Sequence, residues 1–192
     1  MDQKTLIAIV VVLAIVVVAA IVIGMRKRRS QRLRERFGPE YERAVHEGGN
    51  PAKAELELLQ REKRVQGFAI KTLAPETRQA YAQQWSDVQR RFVDDPAMSV
   101  TEADTLVNRV MGALGYPMAD FDQRAADISV NYPAVVQNYR SARNLAQRHA
   151  RGQAGTEDLR QAMVYYRSLF EELLGSQNSA ATSRGVIHER AS

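Results

Sequence analysis

From Leu6 to Ile23 the chain contains no charge, no polar side chain, no glycine and no proline: 18 residues built only of Val, Ile, Ala and Leu. At 1.5 Å per residue a helix of that length spans about 27 Å, close to the roughly 30 Å of a bilayer's hydrocarbon core. A buried strand is the first rival, since Val and Ile dominate, but strands end at about 10 residues. A cleaved leader is the second. It has an apolar core of about 7 to 15 residues and a small-x-small exit, whereas this run passes straight into Gly24-Met25-Arg26-Lys27-Arg28-Arg29. The expectation is a short tail, residues 1–5, and one transmembrane helix over residues 6–25.

The charges flanking the apolar run set its orientation. Arg26, Lys27, Arg28, Arg29, Arg32, Arg34 and Arg36 form a basic segment, residues 26–36, opposed only by Glu35. The N-terminal tail carries Lys4 offset by Asp2. Bases beside an apolar segment keep their side in the cytoplasm, so the bulk of the chain is expected at the inner face of the cell membrane. These seven side chains are the candidate functional residues, as a topology determinant and as a docking surface for anionic lipid, worth roughly 1 kcal/mol per base near the surface.

The net charge of +5 would ordinarily raise nucleic acid as a partner. From Phe37 onward, however, there are 19 Lys and Arg against 20 Asp and Glu. The basicity belongs to the membrane junction, and a domain so nearly neutral lacks the electrostatic footprint of a phosphate-backbone binder.

Residues 37–175 read as helix throughout, with no strand-period segment, so the expected fold is all-α: a multi-helix bundle behind the anchor. Gly38-Pro39 and Asn50-Pro51 each place a helix-ending or cap residue before a first-turn proline, and Pro75-Glu76 starts a further helix. Tyr81, Trp85, Val88 and Phe92 recur at steps of four, three and four, an aromatic stripe facing a core. Asp95 before Pro96 reads as an N-cap, and Thr101-Glu102-Ala103-Asp104 resembles a capping box opening a helix through Leu114. Gly115 ends it, Phe121 to Ile128 forms a short helix, and Pro133 opens a segment to about Arg151. Thr156 is read as the cap of a last helix, whose Leu159, Met163, Tyr166, Phe170 and Leu173 form a seam. That seam covers barely two heptads, too few for a coiled coil, so it belongs to an internal core. Beyond Gly175 the tail, residues 176–192, has little apolar content and is expected to be disordered.

The chemistry is sparse. There is no cysteine, which removes disulfides, thiolate metal sites and a Cys nucleophile. His46, His149 and His188 are scattered and none has the i, i+4 partner of a helical zinc site. Phosphate-binding glycine loops and a G-x-S-x-G elbow are absent. No enzyme activity, cofactor or metal is expected. The leading reading is a protein–protein interaction or scaffold module held at the membrane, with the lipid bilayer and a protein as partners and no nucleic acid. The alternative is an enzyme whose site the fold assembles from carboxylates such as Asp94, Asp95, Asp120, Asp122 and Asp127.

Several stretches from about Arg36 to Gly175 carry a resemblance: RFGPEYERAV, the ELxxRExR-like run around Leu58 to Arg64, RFVDDP, GYPMADFDQRAADISVNYPAVVQNYR and TEDLRQAMVYYRSLFEELL. In this order they resemble a family of bacterial, actinobacterial-type, single-pass membrane-anchored helical proteins of unknown function. The resemblance implies the architecture just described and brings no activity, hence no functional residues. One departure is Tyr132, where the family pattern has His, which weighs against a metal or proton role there.

Overall fold

The computed structural model describes the backbone of residues 3–189 and the side chains of residues 12–175. Among the described residues eight helices follow one another: α1 (Gln3–Phe37), α2 (Pro39–Gly48), α3 (Pro51–Gln66), α4 (Pro75–Arg91), α5 (Pro96–Ala113), α6 (Phe121–Ile128), α7 (Val136–Ala150) and α8 (Thr156–Glu189). No strand occurs among the described residues, so the all-α expectation holds. Two compact units divide the chain, Met1–Leu58 and Leu59–Ser192, with the boundary inside α3.

No helix among the described residues is long and apolar enough to cross a membrane. The side chains of Leu6 to Val11 lie outside the described residues, and Val12 to Ile23 extends only about 18 Å along a helix axis. The span expected over residues 6–25 is therefore not met within the described side chains.

In the first unit α1 runs unbroken from the apolar stretch through Gly24 into the basic segment, and no proline interrupts it. Gly38, at φ 48°, reverses the chain, and Pro39 stands at the first position of α2. Gly49 closes α2 in the left-handed region at φ 77°, its N–H bonding the Val45 carbonyl, a conformation that costs glycine least. Asn50 then caps α3 by accepting from the Lys53 N–H at 2.9 Å. Leu33, Phe37, Tyr41, Ala44, Ala54 and Leu58 are the buried apolar side chains of this unit.

In the second unit α5 is the central element, packed on α4, α7 and α8. Its Val100, Ala103, Leu106, Val107, Val110 and Met111 are all buried, and each large aliphatic side chain so removed from water contributes about 1.5–3 kcal/mol. The expected stripe on α4 faces this core: Trp85 and Val88 are buried, with Tyr81 and Phe92 packed against them. Trp85 stacks on Phe170 of α8, centroids 4.6 Å apart and planes 17° from parallel. The α8 seam of Leu159, Met163, Tyr166, Phe170 and Leu173 is buried in the same core, as an internal helix requires.

Three helix starts differ from the sequence reading. Asp95 caps α5, accepting from the Met98 N–H at 3.0 Å, so Thr101 lies inside that helix, where its hydroxyl donates to the Ala97 carbonyl at 3.2 Å. An Asp before Pro offered the earlier start, and once taken it made the capping box redundant. α7 begins at Val136, because Tyr132 to Val135 form a turn in which the Val135 and Val136 N–H groups both bond the Tyr132 carbonyl. At α8 the Gly155 carbonyl accepts from the Leu159 N–H and Asp158 accepts from the Gly155 N–H at 2.9 Å, so Thr156 is the first helical residue. Past Gly175, where a disordered tail is expected, the backbone continues α8 to Glu189; the side chains there lie outside the described residues.

Candidate functional site

The seven bases sit on the C-terminal half of α1, and all of them are exposed. The reason lies in their register. Leu33 and Phe37, four apart, take the buried face, and the bases between and before them occupy the remaining directions of a 100°-per-residue helix. Arg34 lies over the Tyr41 ring, its guanidinium carbon 5.1 Å from the centroid, and hydrogen bonding to Tyr41 holds its pKa above the ordinary arginine value. Arg26, Lys27, Arg28, Arg29 and Arg32 make no ion pair among the described residues, so their charge faces outward uncompensated.

Immediately before them lies the other half of the surface. Val12, Leu13, Ile15, Val16, Val17, Val18, Ile21, Val22 and Ile23 each keep between 42% and 66% of their area exposed. A monomer in water rarely shows a contiguous apolar patch above a few hundred Å², and here the helix is apolar on every side. An uncovered apolar rod thus ends abruptly in a cationic collar.

Beside the collar, a hydrogen-bonded clip joins the three helices of this unit. The buried Tyr41 hydroxyl donates to Glu55 Oε1 at 3.0 Å, and Ser30 Oγ stands 3.3 Å from the same hydroxyl oxygen. With the Tyr41 proton committed to Glu55, Ser30 is the donor of that second bond. Sequence reasoning missed this clip, since nothing in the local pattern indicates that residues 30, 41 and 55 meet.

The carboxylates suggested as an assembled site are placed as follows. Asp95 caps α5 and Asp120 caps α6, accepting from the Gln123 N–H at 3.0 Å. Asp94 and Asp122 are exposed. Asp127 is buried and bonded by Arg64 Nε at 2.7 Å and Gln123 Nε2 at 2.8 Å. Among the described residues no three of His, Asp or Glu group so as to hold a metal. His46 is exposed near the end of α2 and His149 bonds the Ala154 carbonyl through Nδ1; His188 lies outside the described side chains.

A polar cluster that the sequence did not announce lies inside the second unit. Asp104 accepts from the Tyr166 hydroxyl at 3.0 Å, from Asn108 Nδ2 at 3.3 Å and from Arg143 Nη1 at 3.3 Å. Tyr139 donates to Asn108 Oδ1 at 3.0 Å, and Arg143 lies 5.6 Å from the Phe121 ring centroid. Burial, and then the Asp104 charge, push the Tyr166 phenol well above the ordinary tyrosine range; burial likewise raises Tyr139 and Tyr116. With donors from three helices on one carboxylate, Asp104 ties α5, α7 and α8 together. No family model, curated protein or solved structure matches the chain.

Proposed function

We propose that this protein is a single-pass membrane protein whose Leu6–Ile23 segment inserts in the bilayer and whose helical domain works at the inner membrane surface as a protein–protein interaction or scaffold module. The observation that carries the reading is the junction on α1, where uncovered apolar side chains up to Ile23 give way within three residues to a run of exposed bases. Water is a poor solvent for that apolar surface, which over nine large side chains forgoes about 25 cal/mol for each Å² left wet. Hydrocarbon removes the cost. The bases then lie at the depth of the lipid headgroups, where their charge is solvated and orienting. The resemblance to bacterial membrane-anchored helical proteins agrees with this placement.

For the domain itself, the support is a continuous apolar core around α5, with Asp95 and Asp120 used as helix caps and Asp127 held by Arg64, and polar helix faces left to the outside. Quantitative affinity purification of the tagged full-length chain, beside a version truncated after Ser30, tests the module. A partner recovered only with the helical domain is the expected result; the same background from both versions would remove the scaffold reading.

A further inference from the structure

Between α1 and the start of α3, wholly within the first unit, lies a groove of about 600 Å³ lined by Ile23, Arg26, Lys27, Arg29, Ser30, Pro51, Ala52 and Glu55. We propose that this groove is a binding site for one anionic phospholipid headgroup, with a phosphoglycerol head as the best fit. The inference rests on the membrane reading above and deepens it, from a diffuse cationic collar to a built site.

Four observations converge on that ligand. Three of the polar lining side chains, Arg26, Lys27 and Arg29, are cations that make no ion pair among the described residues, and Glu55 is the one acid in the lining, so the groove calls for an anion. Ile23, at one end, is the last residue of the apolar run, so an acyl chain can lie along α1 while its phosphate meets the bases. From Ile23 to Ser30 the helix climbs about 10 Å, comparable to the roughly 5–8 Å of polar headgroup layer on each side of a bilayer. Finally, the walls are fixed: the Ser30–Tyr41–Glu55 clip holds α1, α2 and α3 in place.

Glu55 refines the choice. Its Oε1 accepts from Tyr41, and the carboxylate's other oxygen can accept a further hydrogen bond. A phosphate carrying a hydroxylated head supplies both partners, phosphate to Arg26, Lys27 and Arg29 and a hydroxyl to Glu55. A choline head supplies a cation with no hydrogen-bond donor and leaves the lipid without net charge.

The test uses the full-length chain. Flotation with neutral phosphatidylcholine vesicles in high salt first establishes insertion by itself; a chain that does not float overturns the membrane reading and this inference with it. Native mass spectrometry of the detergent-solubilised chain then counts retained lipid on addition of phosphatidylglycerol or phosphatidylcholine. One phosphatidylglycerol is expected, bound at least tenfold more tightly than phosphatidylcholine. Arg26→Gln with Arg29→Gln should weaken it about thirtyfold, equivalent to about 2 kcal/mol at roughly 1 per base. Arg28→Gln with Arg32→Gln, which removes as much charge outside the groove, should leave it within a few-fold. Ala52→Glu places an acid in the groove at a helix start where acids favour folding, and should also abolish selectivity. Equal losses from the two arginine pairs, or equal retention of both lipids by a chain that floats, would each overturn the headgroup site.

Discussion

Replacing Tyr166 by Phe removes a single oxygen atom from the centre of the second unit, and the structure says what it should cost. That hydroxyl is fully buried and donates to Asp104 Oδ1 at 3.0 Å, a bond to an ionised acceptor of the kind worth about 1.5–3 kcal/mol. Asp104 retains Asn108 and Arg143 on its other oxygen, so the carboxylate stays held, and the loss should lie near 2 kcal/mol. Asp104→Ala should cost more, about 3 kcal/mol, because it strands the Tyr166 hydroxyl in the core and removes the partner of Arg143. In that background Tyr166→Phe should recover part of the loss by removing the stranded hydroxyl, giving a coupling of at least about 2 kcal/mol in a double-mutant cycle. The assay is built into the chain: its one tryptophan, Trp85, is buried against Phe170, so its fluorescence reports this unit alone. With a urea slope of about 2 kcal/mol/M, Tyr166→Phe should lower the midpoint of the full-length chain in micelles by about 1 M. An unchanged midpoint, or additive costs in the cycle, would refute the tying role given to the cluster.

The same structure implies four further outcomes. Burial raises Tyr116, Tyr139 and Tyr166 above the unfolded value near 10, so the unfolded chain loses these protons first and stability should fall as pH rises above about 10, by up to about 1.4 kcal/mol per pH unit for each phenol; in a urea melt followed by Trp85 fluorescence the midpoint should drop between about pH 10 and 11, and an unchanged midpoint would refute it. Asp95→Ala should cost about 1 kcal/mol in the same fluorescence melt, as loss of an N-cap does, while Thr101→Ala, inside α5, should be within about 0.5 kcal/mol of neutral; the reverse ranking would restore the later helix start. Gly115 has φ 96°, and a Cβ there would stand 2.3 Å from the Ala69 carbonyl oxygen, so Gly115→Ala should destabilise by about 3 kcal/mol, read as a urea midpoint shift. Phe170→Ala should cost about 3–5 kcal/mol and shift Trp85 emission to the red even in the folded state; no spectral change would contradict the stacked pair.

Much of this architecture can be read along the chain because its signals are local. Pro39, Pro51, Pro75 and Pro96 each open a helix where a first-turn proline should, and the spacing of Trp85 and Val88, or of Tyr166, Phe170 and Leu173, marks a buried face because 3.6 residues return a side chain to the same direction. The misreadings are also local. Thr101 and Asp95 both satisfy capping chemistry, and only the continuous packing of Ser99, Val100 and Ala103 against the core decides for the earlier start. What cannot be read is contact between distant positions. Asp104 appears in the sequence as half of a capping box, yet it accepts from Tyr166 and Arg143, whose separations of 62 and 39 residues no local pattern encodes. The cationic site divides in the same way: its seven bases stand out by composition, whereas Tyr41, Ala52 and Glu55, which turn a collar into a groove, emerge only when α3 returns beside α1.

The central claim, that Leu6–Ile23 holds the protein in a bilayer with its domain inside the cell, is tested most directly by a single introduced cysteine. Because the chain has none of its own, Gln60→Cys, at an exposed position of α3, reports on one site when a membrane-impermeant maleimide is applied to intact cells and then to permeabilised ones, with membranes washed in alkaline carbonate before quantification. The predicted result is a carbonate-resistant protein labelled only after permeabilisation. Labelling in intact cells would reverse the orientation, and release of the protein by carbonate would contradict the anchor itself.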